Sequence, residues 1–241
     1  MADIDSTTLD FSFSELTSLP DVYEEEPRAG AIKAAATGGK GGKGGVCAKG
    51  KVVVTTLKLN NNVISDLTEL PTILPDILVD WSQLVFLDLS FNCLNAIPKE
   101  LECLPQLGIL YLHGNNIGAL TEVCFYFFRL ADVAWWYHRR FFMVVVYWLS
   151  QNEAMLPAKE LRQVEAKKLR QVDKIGKLMT NLKSFSLHGS YLERIEGYRQ
   201  HVVAAIPSLR KFDFVAVTSA DRERAARWKA MHSPRRTKAP A

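Results

Sequence analysis

Four segments of this chain carry one spaced pattern of apolar residues. They are VTTLKLNNNVI (54–64), LVFLDLSFNCL (84–94), LGILYLHGNNI (107–117) and LKSFSLHGSYL (182–192). Each fits L-x-x-L-x-L-x-x-N-x-L, with Phe or Val accepted for Leu and one Ser for Asn. A pattern that returns after some tens of residues limits the fold more than composition does. Each copy is one supersecondary unit that can bury its apolar face only against its neighbours.

The spacing has a physical reading. Leu57 and Leu59, Leu87 and Leu89, Leu110 and Leu112, and Phe185 and Leu187 stand two residues apart. On a short strand both members of each pair point to one face, into a core. Asn62, Asn92 and Asn115 fall where the chain turns out of the strand. A buried asparagine both donates to and accepts from backbone groups left free at such a turn. Stacked copies make a ladder that leaves no buried polar group unpaired. Ser190 takes this place in the fourth copy. Its shorter side chain satisfies fewer partners, so a looser turn is expected there, as in many terminal repeats.

The intervals Leu57 to Leu87, Leu87 to Leu110 and Phe185 to Phe212 are 30, 23 and 27 residues, close to one coil of a leucine-rich repeat. The interval from Leu110 to Phe185 is 75 residues, which makes about 123–171 an insertion. The predicted fold class is an α/β solenoid: a short leucine-rich-repeat arc with a curved parallel sheet on its concave face, a C-terminal cap and a helix. Residues 52–217 form the repeat domain with its insertion. Residues 1–51 precede it as an N-terminal arm and flexible Gly/Lys-rich linker, and 218–241 follow as a helix and basic tail. In the cap, Tyr198, Val202, Val203 and Ile206 have helical spacing that Pro207 ends, and Leu209, Phe212 and Phe214 make a last strand-like edge. Thr218 to Asp221 resembles a capping box before a helix at 222–231, with Trp228 either packed on the last coil or a contact for a partner.

The insertion has two halves. Residues 124–149 are aromatic and apolar, but Arg129, Asp132, His138, Arg139 and Arg140 interrupt them. The run falls short of the ~20 apolar residues of a spanning helix, so no membrane span is expected. Residues 158–178 read as a polar helix carrying Leu161, Val164, Leu169 and Val172. Three readings stay open: a partner-binding hairpin, an apolar flap on the repeat surface, or translated intron. Joining Glu122 to Val172 would remove 49 residues and leave a normal interval of 26. Valine codons begin with GT, and a glutamine codon can end in AG.

Motifs for chemistry are missing. Cys47, Cys93, Cys103 and Cys124 have neither C-x-x-C nor zinc-finger spacing, which points to reduced thiols and no metal site. The acidic start MADIDSTTLDFSFSEL lacks the regions of a secretory signal. A phosphate-binding loop needs G-x-x-x-x-G-K-[ST]. Lys40 and Lys43 are each followed by Gly, and Ala34 and Thr37 stand where the first Gly belongs. His113 and His188 occupy equal places in two L-H-G turns, which the repeat explains better than a paired site. No catalytic residue, cofactor or small-molecule substrate is expected. The expected work is binding of another protein on the concave face by Lys58, Asn60, Asp88, Ser90, Tyr111, His113, Ser186 and His188, with Asp213 on the cap. The alternative is an adaptor for a membrane surface or nucleic acid, using Lys40, Lys43, Lys49, Lys51 and the Arg235-Arg236 tail. A net charge of +4 is too mild to argue for nucleic acid by itself.

Several stretches carry a narrower likeness: LDFSF (9–13), EEPRAG (25–30), LNNNVISDL (59–67), LDLSFNCL (87–94), LYLHGNNI (110–117), LHGSYLERIEGYRQHV (187–202) and FDF-x-x-VTSADR (212–222). Together they resemble the leucine-rich repeat-containing protein 51 family of small cytoplasmic leucine-rich-repeat proteins. They cover most of the chain outside the Gly/Lys run and the insertion. The second His-Gly turn followed by GYRQ, and the FDF…ADR tail, are more specific than the repeat consensus. The resemblance implies a cytoplasmic protein without catalytic residues. Association with organisms that have motile cilia adds the axoneme as its implied place. On the intron reading, sequencing of the mature transcripts returns messages that join Glu122 to Val172; if all of them carry codons 123–171, that reading is wrong.

Overall fold

The computed structural model describes residues 8–28, 54–118 and 158–232, with the backbone alone described over 158–167. Seven short strands form one sheet in sequence order. They are β1 (Thr8–Asp10), β2 (Thr56–Lys58), β3 (Phe86–Asp88), β4 (Ile109–Tyr111), β5 (Ser184–Ser186), β6 (Lys211–Phe212) and β7 (Val215–Ala216). β1 to β6 are parallel, and β7 turns back antiparallel to β6. Sequential parallel strands require every return path to run over the same side, which makes a solenoid. The architecture is the α/β leucine-rich-repeat arc that the spacing predicts.

One row of side chains holds the stack together. Leu9, Leu57, Leu87, Leu110, Phe185 and Phe212 are register partners from β1 to β6. All point inward, none more than 2% exposed. Returning segments close the core. Helix α1 (Leu70–Ile77) carries Pro71 in its first turn and buries Leu70, Ile73, Leu74 and Ile77, one helical stripe. Helix α2 (Ala158–Leu178) buries Leu169, Val172 and Ile175.

The asparagines bridge neighbouring coils. Asn62 Oδ1 accepts from Ser14 N and Leu16 N at 3.0 and 3.1 Å, and its Nδ2 donates to Phe11 O and Leu59 O, both at 2.9 Å. Asn92 accepts from Ile64 N at 3.1 Å and donates to Leu59 O and Leu89 O. Asn115 accepts from Leu94 N at 3.0 Å and donates to Leu89 O and Leu112 O. The ladder stops at Ser190, whose buried Oγ has no hydrogen-bond partner among the described residues.

The structure differs from the sequence reading at both ends of the stack. The expected arm of residues 1–51 contains a full coil at its start. Leu9 and Phe11 stand two apart, Ser14 takes the asparagine place, and Leu16 follows, all as in the repeat. Leu9, Phe11, Leu16, Leu19 and Val22 are buried. Ser14 needs no asparagine's reach because no described coil precedes it. The insertion likewise ends inside the core. Leu169 is buried, and Gln171 Oε1 accepts from Ile97 N at 3.2 Å. The junction of the intron reading, between Gln171 and Val172, falls in the middle of α2. Residues 119–157, with the aromatic half of the insertion, lie outside the described residues, as do the Gly/Lys run and the basic tail.

The C-terminal end uses a different closure. Along the stack, Leu59 N donates to Asp88 O, Leu89 N to Tyr111 O and Leu112 N to Ser186 O, at 2.8 to 2.9 Å. At the last coil Leu187 N donates instead to the Asp213 carboxylate at 2.7 Å, and His188 N joins it at 3.0 Å. The Asp213 side chain thus takes the place that a main-chain carbonyl holds along the rest of the stack. Asp213 and Phe214 form the tight turn between β6 and β7, both with positive φ. Phe214 is therefore no strand edge but a turn residue, half exposed. Helices α3 (Tyr198–Ala205) and α4 (Ser219–His232) cover the end. Thr218 and Asp221 cap α4 reciprocally. Trp228 lies edge-on to His201 of α3 at 5.3 Å.

Replacing Ser190 by Asn extends the ladder by one rung. Ser190 lines an open cleft of about 580 Å³ together with Gly114 and Asn115. Ser190→Asn is expected to raise unfolding stability by about 1–2 kcal/mol, roughly two regained hydrogen bonds, in urea titrations.

Candidate functional site: the strand-lined face

The sheet presents three rows of outward residues. Asp10, Lys58, Asp88, Tyr111 and Ser186 are register partners in the central row. Thr8, Thr56, Phe86, Ile109, Ser184 and Lys211 form the row before it. Asn60, Ser90, His113 and His188 follow two positions after the central row.

These positions are not equally available. Lys58, Asn60, Asp88, Tyr111 and His113 are half-buried on the face, and His188 is exposed. Ser90 and Ser186, expected to touch a partner, are 2% and 1% exposed and are withdrawn from the contact surface. Ser90 folds onto its own coil, with Oγ donating to Asp88 Oδ1 at 2.6 Å and N donating to the same atom at 3.0 Å. Ser186 sits small beside its register partner Tyr111. Lys58 pairs with Asp10 at 3.7 Å. The two histidines do not form a pair. His188 Nδ1 lies 3.1 Å from Glu193 Oε1, whereas His113 packs among aromatic rings.

Those rings dominate the face. Tyr111 meets Phe86, His113 and Phe214 at centroid distances of 5.2, 5.8 and 5.7 Å. His113 meets Phe91 and Phe214 at 5.1 Å each. All five contacts are edge-to-face, the arrangement aromatic quadrupoles favour. The sequence reading named Tyr111 and His113 for this face, placed Phe214 on a strand edge of the cap, and missed Phe86 and Phe91. Period two makes Phe86 legible, since it stands one residue before inward Leu87. Phe91 and Phe214 lie in turns, where no strand period reaches.

The backbone under these phenylalanines is strained. Phe91 has φ 52° and Phe214 has φ 65°, in the left-handed region that Gly and Asn favour. Phe214 lies in the hairpin turn of the cap, while the equivalents of Phe91 in other coils are Asn61, Gly114 and Gly189. Phe13, at the same place in the first coil, has φ 58° and lies under the Arg28 guanidinium at 5.2 Å. A bulky residue held there costs roughly 1–3 kcal/mol. Folding recovers little of it, because Phe91 and Phe214 stay 53% and 49% exposed. Gly114 is shaped to its neighbour: a Cβ there would meet the Phe91 ring at 2.6 Å.

Burial pushes the His113 pKa below its ordinary value, and His188 adds to this, while the charges of Asp88 and Asp213 act the other way. Its Nδ1 is buried without a hydrogen-bond partner among the described residues, so a proton placed there finds no acceptor. No group of three His, Cys, Asp or Glu able to hold a metal occurs among the described residues. No described helix is long and apolar enough to cross a membrane.

Stacked parallel coils, inward leucines and a buried asparagine ladder define a leucine-rich-repeat protein. No family model matches the chain. Whole-protein relatives do. Leucine-rich repeat-containing protein 51 of rat and of human are each 30% identical over 226 residues, covering 93% of this chain and 85% of the relative. The mouse protein matches equally well over 223 residues. The chain belongs to the leucine-rich repeat-containing protein 51 family. Among solved structures, the Drosophila melanogaster SNF/U2A' complex aligns at TM-score 0.44 and 20% identity, covering 73% of this chain and 68% of that one. An internalin from Listeria monocytogenes aligns at TM-score 0.31 and 18% identity, covering 68% and 36%.

The His113 shift makes stability depend on pH. Its folded pKa lies below 6.5, so between the two values the unfolded chain binds more protons. Stability therefore falls as pH drops below 6.5 toward the folded value. Thermal melts followed by circular dichroism are expected to show this decline, and His113→Phe to make it shallower than in the parent.

Proposed function

We propose that the chain is a non-catalytic interaction module or scaffold that binds another protein on its strand-lined face. One observation carries the reading: half-exposed phenylalanines sit at strained turn positions, where Asn or Gly would fold more easily. Strain that folding does not recover is intelligible as a contact held ready for a partner. The family relationship supports the reading, since its members are leucine-rich-repeat proteins.

The place of action is part of the proposal. The resemblance to a family associated with motile cilia motivates a cytoplasmic protein assembled into the axoneme. Imaging of the tagged chain in ciliated cells tests that part; signal confined to another compartment removes it.

Phe91→Gly separates binding from folding. It relieves roughly 1–3 kcal/mol of backbone strain, of which glycine's greater freedom in the unfolded chain offsets about 1 kcal/mol. Unfolding stability is expected to hold or rise, while proteins captured from ciliated-cell extract by the parent are lost. Glu102→Gln, on the opposite side of the coil, is expected to keep them. Capture that survives Phe91→Gly and Tyr111→Ala together defeats the assignment of the face. Capture that disappears with modest salt favours the adaptor reading of the basic segments.

A further inference from the structure

We propose that the aromatic cluster of the strand-lined face takes an arginine side chain presented by the protein partner. This rests on the reading of that face as the interaction surface and names the chemistry it selects.

Three features of the face converge on a cation. The first is aromatic surface. Tyr111 and His113 tie Phe91 and Phe214 into one group, and both phenylalanines remain about half exposed. Ring faces carry the negative part of the quadrupole and attract cations.

The second is negative charge without a counter-ion. Asp88 accepts from Ser90 on one oxygen and makes no ion pair among the described residues. Asp213 accepts from Leu187 N, His188 N and the Tyr198 hydroxyl, again with no cation. A carboxylate has about four acceptor sites, so both keep capacity for a further donor. Lys58, beside Asp88 in the register, pairs with Asp10 instead at 3.7 Å, and Lys211 lies on β6. The middle of the face is therefore aromatic and acidic.

The third is the neutrality of His113. A proton on its buried Nδ1 would have no acceptor, so near neutral pH the ring adds a π surface and no positive charge. Arginine fits this combination better than lysine. A guanidinium lies flat on aromatic rings and forks to a carboxylate at the same time, and it sheds water more readily than an ammonium.

The test uses the full chain and two blocked tripeptides, acetyl-Gly-Arg-Gly-amide and its citrulline counterpart. Citrulline keeps the planar shape and removes the charge. Ring resonances of His113 and Tyr111 are followed by NMR as each peptide is added. The expected result is a saturable shift with the arginine peptide, at least about threefold tighter than with citrulline. Asp88→Asn keeps the acceptor for Ser90 and is expected to reduce that preference. Equal shifts with both peptides, no shift with either, or a preference that Asp88→Asn leaves untouched overturns the proposal. In those cases a partner lost on Phe91→Gly still supports the interaction surface, held by apolar contact rather than by arginine.

Discussion

The buried asparagine is the joint on which this fold depends. When the chain leaves a strand and turns toward the convex side, backbone N–H and C=O groups face inward with no strand to pair them. Left bare, each costs about 1–3 kcal/mol. Asn92 answers for two coils at once, accepting from Ile64 N and donating to Leu59 O and Leu89 O. The inward row from Leu9 to Phe212 supplies the apolar burial, but burial alone does not choose a register. The amide does, because its three contacts are made only when neighbouring coils are aligned residue for residue.

This arrangement makes the ends of the stack a chemical problem, and the two ends are solved differently. At the start, the first coil needs no amide of its own, because Asn62 of the second reaches back to Ser14 and Leu16. At the finish, Asp213 stands in for a missing carbonyl. Its other oxygen accepts from the Tyr198 hydroxyl at 3.1 Å, which ties the capping turn to α3. Arg199 of α3 then reaches Ala216 O and Asp221, both at 3.2 Å, linking the hairpin to α4. The closure is a network of charged groups at an edge where an open strand would invite pairing with another chain.

Legibility in the sequence followed the regularity of the physics. Inward leucines at period two are visible because burial tolerates little variation, and α2 is visible from its length. The first coil was hidden because two marker positions depart from the pattern, Ser6 for the leading leucine and Ser14 for the asparagine, although Leu9, Phe11 and Leu16 keep the spacing. The outward face was legible as a set of positions but not as a surface. Position alone does not show that Ser90 folds back on Asp88 or that Ser186 is covered. It is also silent about Phe91, whose ring lies beside His113 only because Gly114 leaves the space. Turn residues follow local backbone demands, and here a bulky side chain stands against that demand.

The 75-residue interval between Leu110 and Phe185 has a consequence for how such a protein can change. β4 and β5 pair in register across it, Leu110 opposite Phe185, as the closer-spaced strands do. Loop closure entropy grows only with the logarithm of length, so lengthening a return from 26 to 75 residues costs on the order of 1 kcal/mol. A return can therefore lengthen by a coil or two at little cost while the strands keep their register, and two chains of very different length can present the same strand-lined surface.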